Sequence, residues 1–516
     1  MTKFTFVDLF AGIGGFHIAA KSMGGESVGF SEIAKDAITA YCDNFNETPE
    51  HNLGDITTLN TLPKHDFMTA GVPCQSWSIA GKKLGFDDDR GQLWNDTIYL
   101  LNEVRPKAFI FENVKGLADP RNSKALEYIL DRIKQAGYYA NIYLLNAYDY
   151  GVPQTRIRIY IVGFKDKKFK DRFYIPKPNP GQVFLSDVLD GFDIEPNRQN
   201  RTNTARWSLS CNEQGFNDYF LFNDLRNGHT TIHSWDIQDT TKREKQICTL
   251  LLKNRRKSLY GILDGNALSL AHFQELDPSI TLEELDNLVK KEILKHCPYY
   301  YTICKKSSVF EENEKFVLSC SKNDCIMVDE LKLNKDFKKR KISIMDILRK
   351  LEIQGVIKCT EMRYDFKNTK ISTGLNGINR IFLPSSKIYP TLVASDTNDY
   401  VSTEELKAST IEEWRDNFMK LIYNKNKYRK ITKSEACKIQ GFPADFKLPE
   451  SRARWMHLIG NSVAVPVVKM LTKAVISTGV FDENDWNGKM PTSEQKNRGI
   501  LPTKKEEVVQ YSLFFD

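Results

Sequence analysis

Cys74 stands in the run Gly71-Val72-Pro73-Cys74-Gln75-Ser76-Trp77-Ser78-Ile79-Ala80-Gly81, a setting in which a thiol can serve as a nucleophile. It follows a strand-like segment, Phe67 to Ala70, and opens a loop bounded by glycines. Pro73 fixes φ ahead of it and restricts Val72, so the thiol is held by a stiff turn. The competing reading is a small buried hydrophobe, which is what most free cysteines are. Cys74 alone leaves both readings open.

A second stretch carries ligand chemistry. Phe6 to Phe16 reads FVDLFAGIGGF, a strand, a glycine turn and a helix start. Glycines there let the backbone approach a ligand and leave helix N–H groups facing it. Many such turns are only tight turns, and Gly12, Gly14 and Gly15 do not have the dinucleotide spacing G-x-G-x-x-G. Glu32 closes the second expected strand, where an acid takes ribose hydroxyls. Asp55 and Ile56, ahead of the third, suit an adenine amino group and ring. The set fits a nucleoside without a pyrophosphate, and S-adenosylmethionine (AdoMet) meets that description better than NAD.

These residues need a scaffold, and the chain up to Phe164 supplies one by alternating short apolar β-rich runs with helical patterns. Strands are expected at Phe4 to Leu9, Ser27 to Glu32, Asp66 to Ala70, Ala108 to Glu112, Tyr139 to Asn146 and Ile157 to Phe164. Helices are expected at Gly15 to Met23, Ala34 to Phe45, Leu93 to Val104 and Ser123 to Ala136. The expected class is α/β, a doubly wound Rossmann-like sheet that holds ligands outside the carboxyl ends of its strands. From about Tyr174 the texture changes: prolines at 176, 178 and 180 precede a long region rich in Lys and Asn, up to about Tyr428. Within it, Thr241 to Lys253 reads as a helix, and a capping box at Thr281 opens another expected to reach Lys295. A helix at 344–351, Gly355, β-like Val356 to Cys359 and a turn before Arg380 to Leu383 suggest a winged-helix-like unit. Alternating character returns with a helix at Lys433 to Gln440 and a last helix from Val463 to Ser477.

The bulk numbers allow this plan. A chain of 516 residues, 41% hydrophobic, buries a large core and makes two or three domains. Lys and Arg number 73 against 66 acids, a formal +7 that is compatible with a nucleic-acid partner. Basic clusters at 253–257, 338–341 and 425–430 read singly as solvated faces; three in one part of the chain tilt towards phosphate contacts. Ten cysteines without a regular framework suggest a reducing compartment and no structural disulfides. Neither a signal peptide nor a membrane-length apolar stretch is expected, which points to a soluble cytoplasmic protein.

Taken together, the ordered motifs resemble the cytosine-C5 DNA methyltransferase family. They are DLFAGIGGF (8–16), Glu32, Asp55, GVPCQSWSIAG (71–81), RGQLW (90–94), ENV (112–114), QTRIR (154–158), RKITKSEACKIQGFP (429–443) and GNSVAVPVV (460–468). Trp77 departs from the family's usual Phe. The resemblance implies that residues 1–174 and 429–480 form one discontinuous catalytic domain. Residues 175–428 would then be an inserted target-recognition region, and 481–516 a polar tail. It implies that Cys74 adds to C6 of a flipped-out cytosine and that Glu112 bonds N3 and the amine. Arg158 would contact O2, with Arg156 in support. The Val72 carbonyl would accept from the amine, and the loop from Gln75 to about Leu93, with Lys82, Lys83 and Arg90, would close over the base. Phe10, Gly12, Gly14, Gly15, Glu32, Asp55, Ile56, Leu93, Asn461 and Ser462 would line the cofactor AdoMet. Read alone, Glu112 could equally be a helix-start acid, and Arg156 and Arg158 simply alternate with isoleucines as in any half-buried strand.

The expected partners are double-stranded DNA and, functionally, a cognate restriction endonuclease without a stable complex; the expected state is a bacterial cytoplasmic monomer. No metal is expected, because Cys297, Cys304, Cys320 and Cys325 contain no C-x2-C pair. Two other readings compete: an RNA cytosine-C5 methyltransferase, and a DNA-binding repressor with a vestigial catalytic fold. The large variable region speaks against the first and the intact Cys74, Glu112, Arg156 and Arg158 against the second.

Overall fold

The structure, a computed structural model, describes residues 3–73, 89–179, 183–192, 219–304, 310–340, 343–371 and 373–481. Six strands form the principal sheet: β1 (Phe4–Leu9), β2 (Gly25–Ser31), β3 (Phe67–Gly71), β4 (Ala108–Val114), β5 (Tyr139–Asn146) and β6 (Ile157–Phe164), in the order β2-β1-β3-β4-β6-β5. The pairs β1/β2, β1/β3 and β3/β4 are parallel, and β6 alone runs against its neighbours β4 and β5. The segment 147–156 between β5 and β6 is too short for the crossover that a parallel pair needs. Helices α1 (Gly15–Ser22), α2 (Lys35–Phe45), α3 (Asp89–Val104) and α4 (Ser123–Gln135) follow the first four strands. The expected doubly wound α/β fold is therefore present, with α3 starting at Asp89 rather than Leu93.

Side chains on a strand alternate between faces, and here both faces are buried. Phe4, Phe6, Phe67 and Ile110 point into one core with Phe16 and Ala19 of α1 and Val467, Val468 and Leu471 of the helix Val465–Ile476. Val7, Leu9, Met68, Phe109 and Phe111 point into the other, with Trp94 and Ile98 of α3 and Ile129 of α4. The late helix thus completes a core begun by the first strand. At Gly15 the approach is so close that an added Cβ would lie 2.5 Å from Val463 Cγ2. Gly15→Ala is expected to cost about 1–3 kcal/mol through this overpacking, read as a lowered urea midpoint.

One expectation needs correction. The stretch Arg452–Ile476, 25 residues, does have the length and composition of a membrane span. It is two helices, Arg452–Asn461 and Val465–Ile476, broken at 462–464, and 67% of its most apolar window is buried inside the protein. It is a core element.

The chain divides into two compact units, one comprising Met1–Tyr219 with Ile381–Asp516 and the other Phe220–Arg380. The second is built on a long antiparallel ribbon, Leu294–Ile303 against Ile357–Phe366, flanked by Cys325–Met327 and Leu268–Ser269. The helix opened by the Thr281 capping box stops at Lys290 instead of Lys295. Glu292 is left-handed (φ 60°), which ends the helix and turns the chain into the strand at Leu294. The winged-helix expectation also changes in detail. Helix Ile344–Ile353 is followed by a strand, but that strand pairs with Leu294–Ile303, and Arg380–Phe382 lies in a different sheet.

Candidate active site

Parallel pairing sets Gly71 at the end of β3 beside Glu112 on β4, so the chain that leads on to Cys74 departs next to this acid. The Asn113 side-chain amide donates to the Val72 carbonyl at 3.0 Å and fixes that departure. Cys74, Lys82 and Lys83 lie outside the described residues, as does the side chain of Arg90. A carbonyl oxygen has two lone pairs, so the bond from Asn113 does not exhaust Val72 as an acceptor.

Glu112 is buried, with Oε1 3.1 Å from Arg158 Nε. Antiparallel register puts Arg158 opposite Val114 and Tyr160 opposite Glu112, so the two charges meet on the diagonal across β4 and β6. Burial pushes the Glu112 carboxyl above the usual carboxylate range, and Arg158 and Arg156 pull it only part of the way back. The site therefore offers an acid that keeps its proton more readily than a surface glutamate, with a cation beside it.

Arg156 takes a different position. Its guanidinium is buried and donates to three backbone carbonyls, Leu392 at 2.8 Å, Gly460 at 3.0 Å and Ser462 at 2.6 Å. Gln154 runs parallel to it: Nε2 donates to the Ile439 carbonyl and to Gln440 Oε1, and Oε1 accepts from the Leu392 amide. Gln440 in turn donates to the Ser462 carbonyl at 2.8 Å. The QTRIR segment thus holds the late motifs with its first two long polar side chains and reaches Glu112 with Arg158.

At the glycine turn, Phe10 (φ 51°), Gly12 (φ 55°) and Gly14 (φ 84°) are all left-handed, a conformation that costs a non-glycine residue about 1–2 kcal/mol. The Gly12 amide donates to Glu32 Oε2 at 2.8 Å, while Oε1 accepts from the Ile33 and Ala34 amides at 2.8 Å each. Glu32 therefore locks the turn and the approach to α2; a carboxylate has about four acceptor positions, so hydroxyl partners still fit. Phe10 and Leu93 pack on the apolar cluster that contains Ile56. Asp55, next to Ile56 in the chain, is exposed and accepts from the Thr57 amide and hydroxyl through Oδ1. Ser462 is buried; Asn461 is exposed, its amide 3.2 Å from His457 Nε2. Val463, next in the chain, is the residue that abuts Gly15. A Cβ at Gly12 would meet nothing within 4 Å, a cradle open beside an apolar wall and an acid. That is a fit for the nucleoside and sulfonium of AdoMet.

A family model for C-5 cytosine-specific DNA methylases matches residues 4–349 and 314–477. The chain belongs to the C-5 cytosine-specific DNA methylases. The type II methyltransferase M.HgiBI of Herpetosiphon aurantiacus is 38% identical over 494 residues, covering 94% of this chain and 99% of that protein. M.BanI of Aneurinibacillus aneurinilyticus is 30% identical over 514 residues, covering 95% and 98%. M.HhaI of Haemophilus parahaemolyticus is 42% identical over 191 residues, covering 37% of this chain and 58% of that protein.

In this C-5 cytosine methylase, several residues that hold the site were not singled out from sequence: Asn113, Gln154, Gln440 and Asp8. The first three were visible only as amides inside motifs. Asp8 is fully buried in β1, accepts from the Thr69 hydroxyl at 2.8 Å, and has its carboxyl pushed well up by burial. An acid inside a strand that is apolar but for Thr5 was the signal. Among the described residues, no group of three or more His, Cys, Asp or Glu is placed to hold a metal ion.

Proposed function

We propose that the protein transfers a methyl group from AdoMet to C5 of cytosine within a specific sequence of double-stranded DNA, through a transient bond between Cys74 and C6. The observation that carries this reading is the buried, proton-retaining Glu112 beside Arg158, at the strand end from which the chain to Cys74 departs. AdoMet, when bound, supplies an electrophilic methyl on a sulfonium. The Cys74 thiolate adds to C6, and the displaced electron pair moves to C5 as Glu112 shares its proton with N3. Arg158 steadies the developing charge at O2 and holds Glu112. After methyl transfer a base removes the C5 proton, and the pair left behind expels the Cys74 thiolate to restore the ring. Strand ends cannot reach an atom inside a stacked duplex, so the base must be flipped out.

The Gly12 turn, Glu32, Asp55, Ile56, Phe10, Leu93 and the Asn461–Ser462 segment would hold AdoMet, with Arg156 and Gln154 keeping that last segment in place. The region 175–428 would select the target, and a restriction endonuclease of the same specificity is the functional partner. Bisulfite sequencing of DNA from cells expressing the protein should show protected cytosines in one sequence context, absent with Cys74→Ser. Methylation unchanged in that variant, or none in the wild type, would contradict the proposal.

The Phe222 amide donates to the Asn379 carbonyl at 2.9 Å, so the two ends of the second unit lie side by side. Replacing Phe220–Arg380 by a short Gly/Ser linker should abolish sequence-specific methylation and leave AdoMet binding, measured by calorimetry, within about threefold. Retained specificity would show that selection lies elsewhere.

A further inference from the structure

The second unit repeats itself. Leu294 to Ile357, and Ile303 to Phe366, are each a step of 63 residues, and that step lays one half of the ribbon on the other. After helix Leu282–Lys290 the amides of Lys291, Glu292 and Ile293 donate to the carbonyls of Asn287, Val289 and Leu288. After helix Ile344–Ile353 the amides of Gln354, Gly355 and Val356 donate to Lys350, Glu352 and Leu351, the same pattern one step on. The residue that turns each chain is left-handed, Glu292 at φ 60° and Gly355 at φ 70°. Buried Leu285, Leu288, Ile293 and Leu294 answer to buried Leu348, Leu351, Val356 and Ile357.

The ribbon has the matching symmetry. Leu294 lies opposite Phe366 and Ile303 opposite Ile357. Beyond each end one more bond closes it, Lys367 amide to Ile293 carbonyl at 2.9 Å and Cys304 amide to Val356 carbonyl at 2.8 Å. These exchange under a dyad perpendicular to the ribbon near Pro298 and Tyr299. The short strands obey it too: Leu268 and Ser269 lie opposite Tyr364 and Arg363, and Ile326 and Met327 opposite Tyr301 and Tyr300. Each short strand runs straight into a helix, Leu270–Leu276 or Val328–Leu333, and each is preceded by another, Lys242–Asn254 or Glu312–Ser319. The order helix, short strand, helix, helix, long strand is therefore shared, a helix-turn-helix with a wing, and the second copy carries one further helix, Lys335–Arg340, before its last. Each module also borrows from the other's long strand: Tyr364 and Phe366 enter the first core, Tyr301 the second. Their shared ribbon makes them one folding unit.

The helix before each long strand differs in charge between the copies. In the first, the helix Leu282–Lys290 carries Glu283, Glu284 and Asp286, and two of these are spent inside the module. Arg243 binds Glu284 at 2.9 Å and Asp277 at 2.6 Å, while Asp286 meets His296 at 3.0 Å and the Tyr364 hydroxyl at 3.1 Å. One step on from Asp286 stands Arg349, exposed, as are Lys335 and Lys358. Helix Ile344–Ile353 is itself balanced, Asp346 and Glu352 against Arg349 and Lys350, with Lys350 held by Glu311 at 2.8 Å and Glu314 at 3.0 Å. A net acidic helix such as Leu282–Lys290 repels a phosphate backbone, whereas a balanced one with exposed cations beside it does not.

We propose that Phe220–Arg380 contains two winged-helix modules that share one dyad-symmetric ribbon, and that only the second docks on duplex DNA, through Arg349 of helix Ile344–Ile353 with Lys335 and Lys358 beside it. The first is its scaffold. This rests on the reading above that duplex DNA is the substrate; what it adds is the module and the helix that meet it.

The test uses the full-length protein and a duplex carrying the target found by bisulfite sequencing, with Kd measured across a salt series. Arg349→Glu with Lys358→Glu changes the second module; Lys242→Glu with Lys290→Glu makes the same change in net charge at exposed positions of the first. The second-module variant should bind about tenfold or more weakly, with a log–log salt slope smaller by about 1–2, one phosphate contact being worth about 0.9. The first-module variant should stay within about twofold. Equal effects from both pairs, or none from the second, would overturn the proposal. If the Glu variant has a lowered thermal midpoint, Arg349→Gln with Lys358→Gln reads the same slope with a smaller change. Wild-type protein that methylates no duplex would sink the underlying reading; methylation with unaltered slopes sinks only the docking.

Discussion

Glu112→Gln is expected to lower kcat by about 10²- to 10⁴-fold, the range for losing a positioned general acid, with little change in the affinity for AdoMet or duplex. Gln keeps the shape and one donor but has no proton to share with N3 of the base. The same substitution should stabilise the fold at neutral pH. Burial raises the folded-state pKa of Glu112 above its unfolded value, with Arg158 and Arg156 offsetting this only in part. A carboxyl with a raised folded pKa contributes fully below its unfolded pKa, and that contribution is lost as pH climbs to the folded value. The wild type therefore carries a penalty at pH 7 that Gln removes, and the two proteins should converge in thermal midpoint below about pH 4. Activity should fall as pH rises through the raised pKa, for the same reason. A variant that loses stability at pH 7 without losing turnover would show that Glu112 is a structural ion-pair partner of Arg158.

Arg156→Met should destabilise the protein by about 3 kcal/mol or more, a large part of the 5–15 kcal/mol that holds a typical domain. The side chain sits among Leu392, Gly460 and Ser462, whose carbonyls it binds at 2.8, 3.0 and 2.6 Å. Each bond to a charged donor is worth about 1.5–3 kcal/mol, and a buried acceptor left without one bears its full desolvation cost. Ser462 keeps the bond from Gln440, so the loss falls short of the simple sum. Arg156→Lys should recover less than half, because one ammonium cannot reproduce the planar fork. Urea unfolding checks the stability, and calorimetry should show weaker AdoMet binding, since Val463, which abuts Gly15, follows Ser462 in the chain. A loss below about 1 kcal/mol would mean that other contacts hold this segment.

The doubly wound sheet was legible because its strands are short apolar runs separated by clear helical periodicity, and its motifs stand at strand ends. Which arginine of QTRIR meets Glu112 was not legible from alternation, which puts both on one side. The register that sets Val114 opposite Arg158 decides it, and that is a long-range pairing. The Gln154–Gln440 bond spans 286 residues, beyond any local pattern. In the second unit the helix after Thr281 was extended too far because its stop, Glu292, is a left-handed residue without the glycine that would announce it. Its strand partner is likewise distant, so the tyrosine-rich run 299–301 did not disclose the ribbon. The repeat stayed hidden because its copies share buried positions and turn geometry while their exposed side chains diverged.

The central claim, that Cys74 attacks C6 with Glu112 as the acid, is tested most directly by trapping. A fluorine at C5 cannot leave as a proton does, so elimination of the thiolate stalls after methyl transfer. Full-length protein, AdoMet and duplex DNA containing 5-fluorocytosine should give a complex that survives denaturation, with the base on the peptide carrying Cys74. Glu112→Gln should form it far more slowly and Cys74→Ser not at all. A complex mapped to another cysteine, or full methylation of ordinary cytosine by Cys74→Ser, would contradict the account.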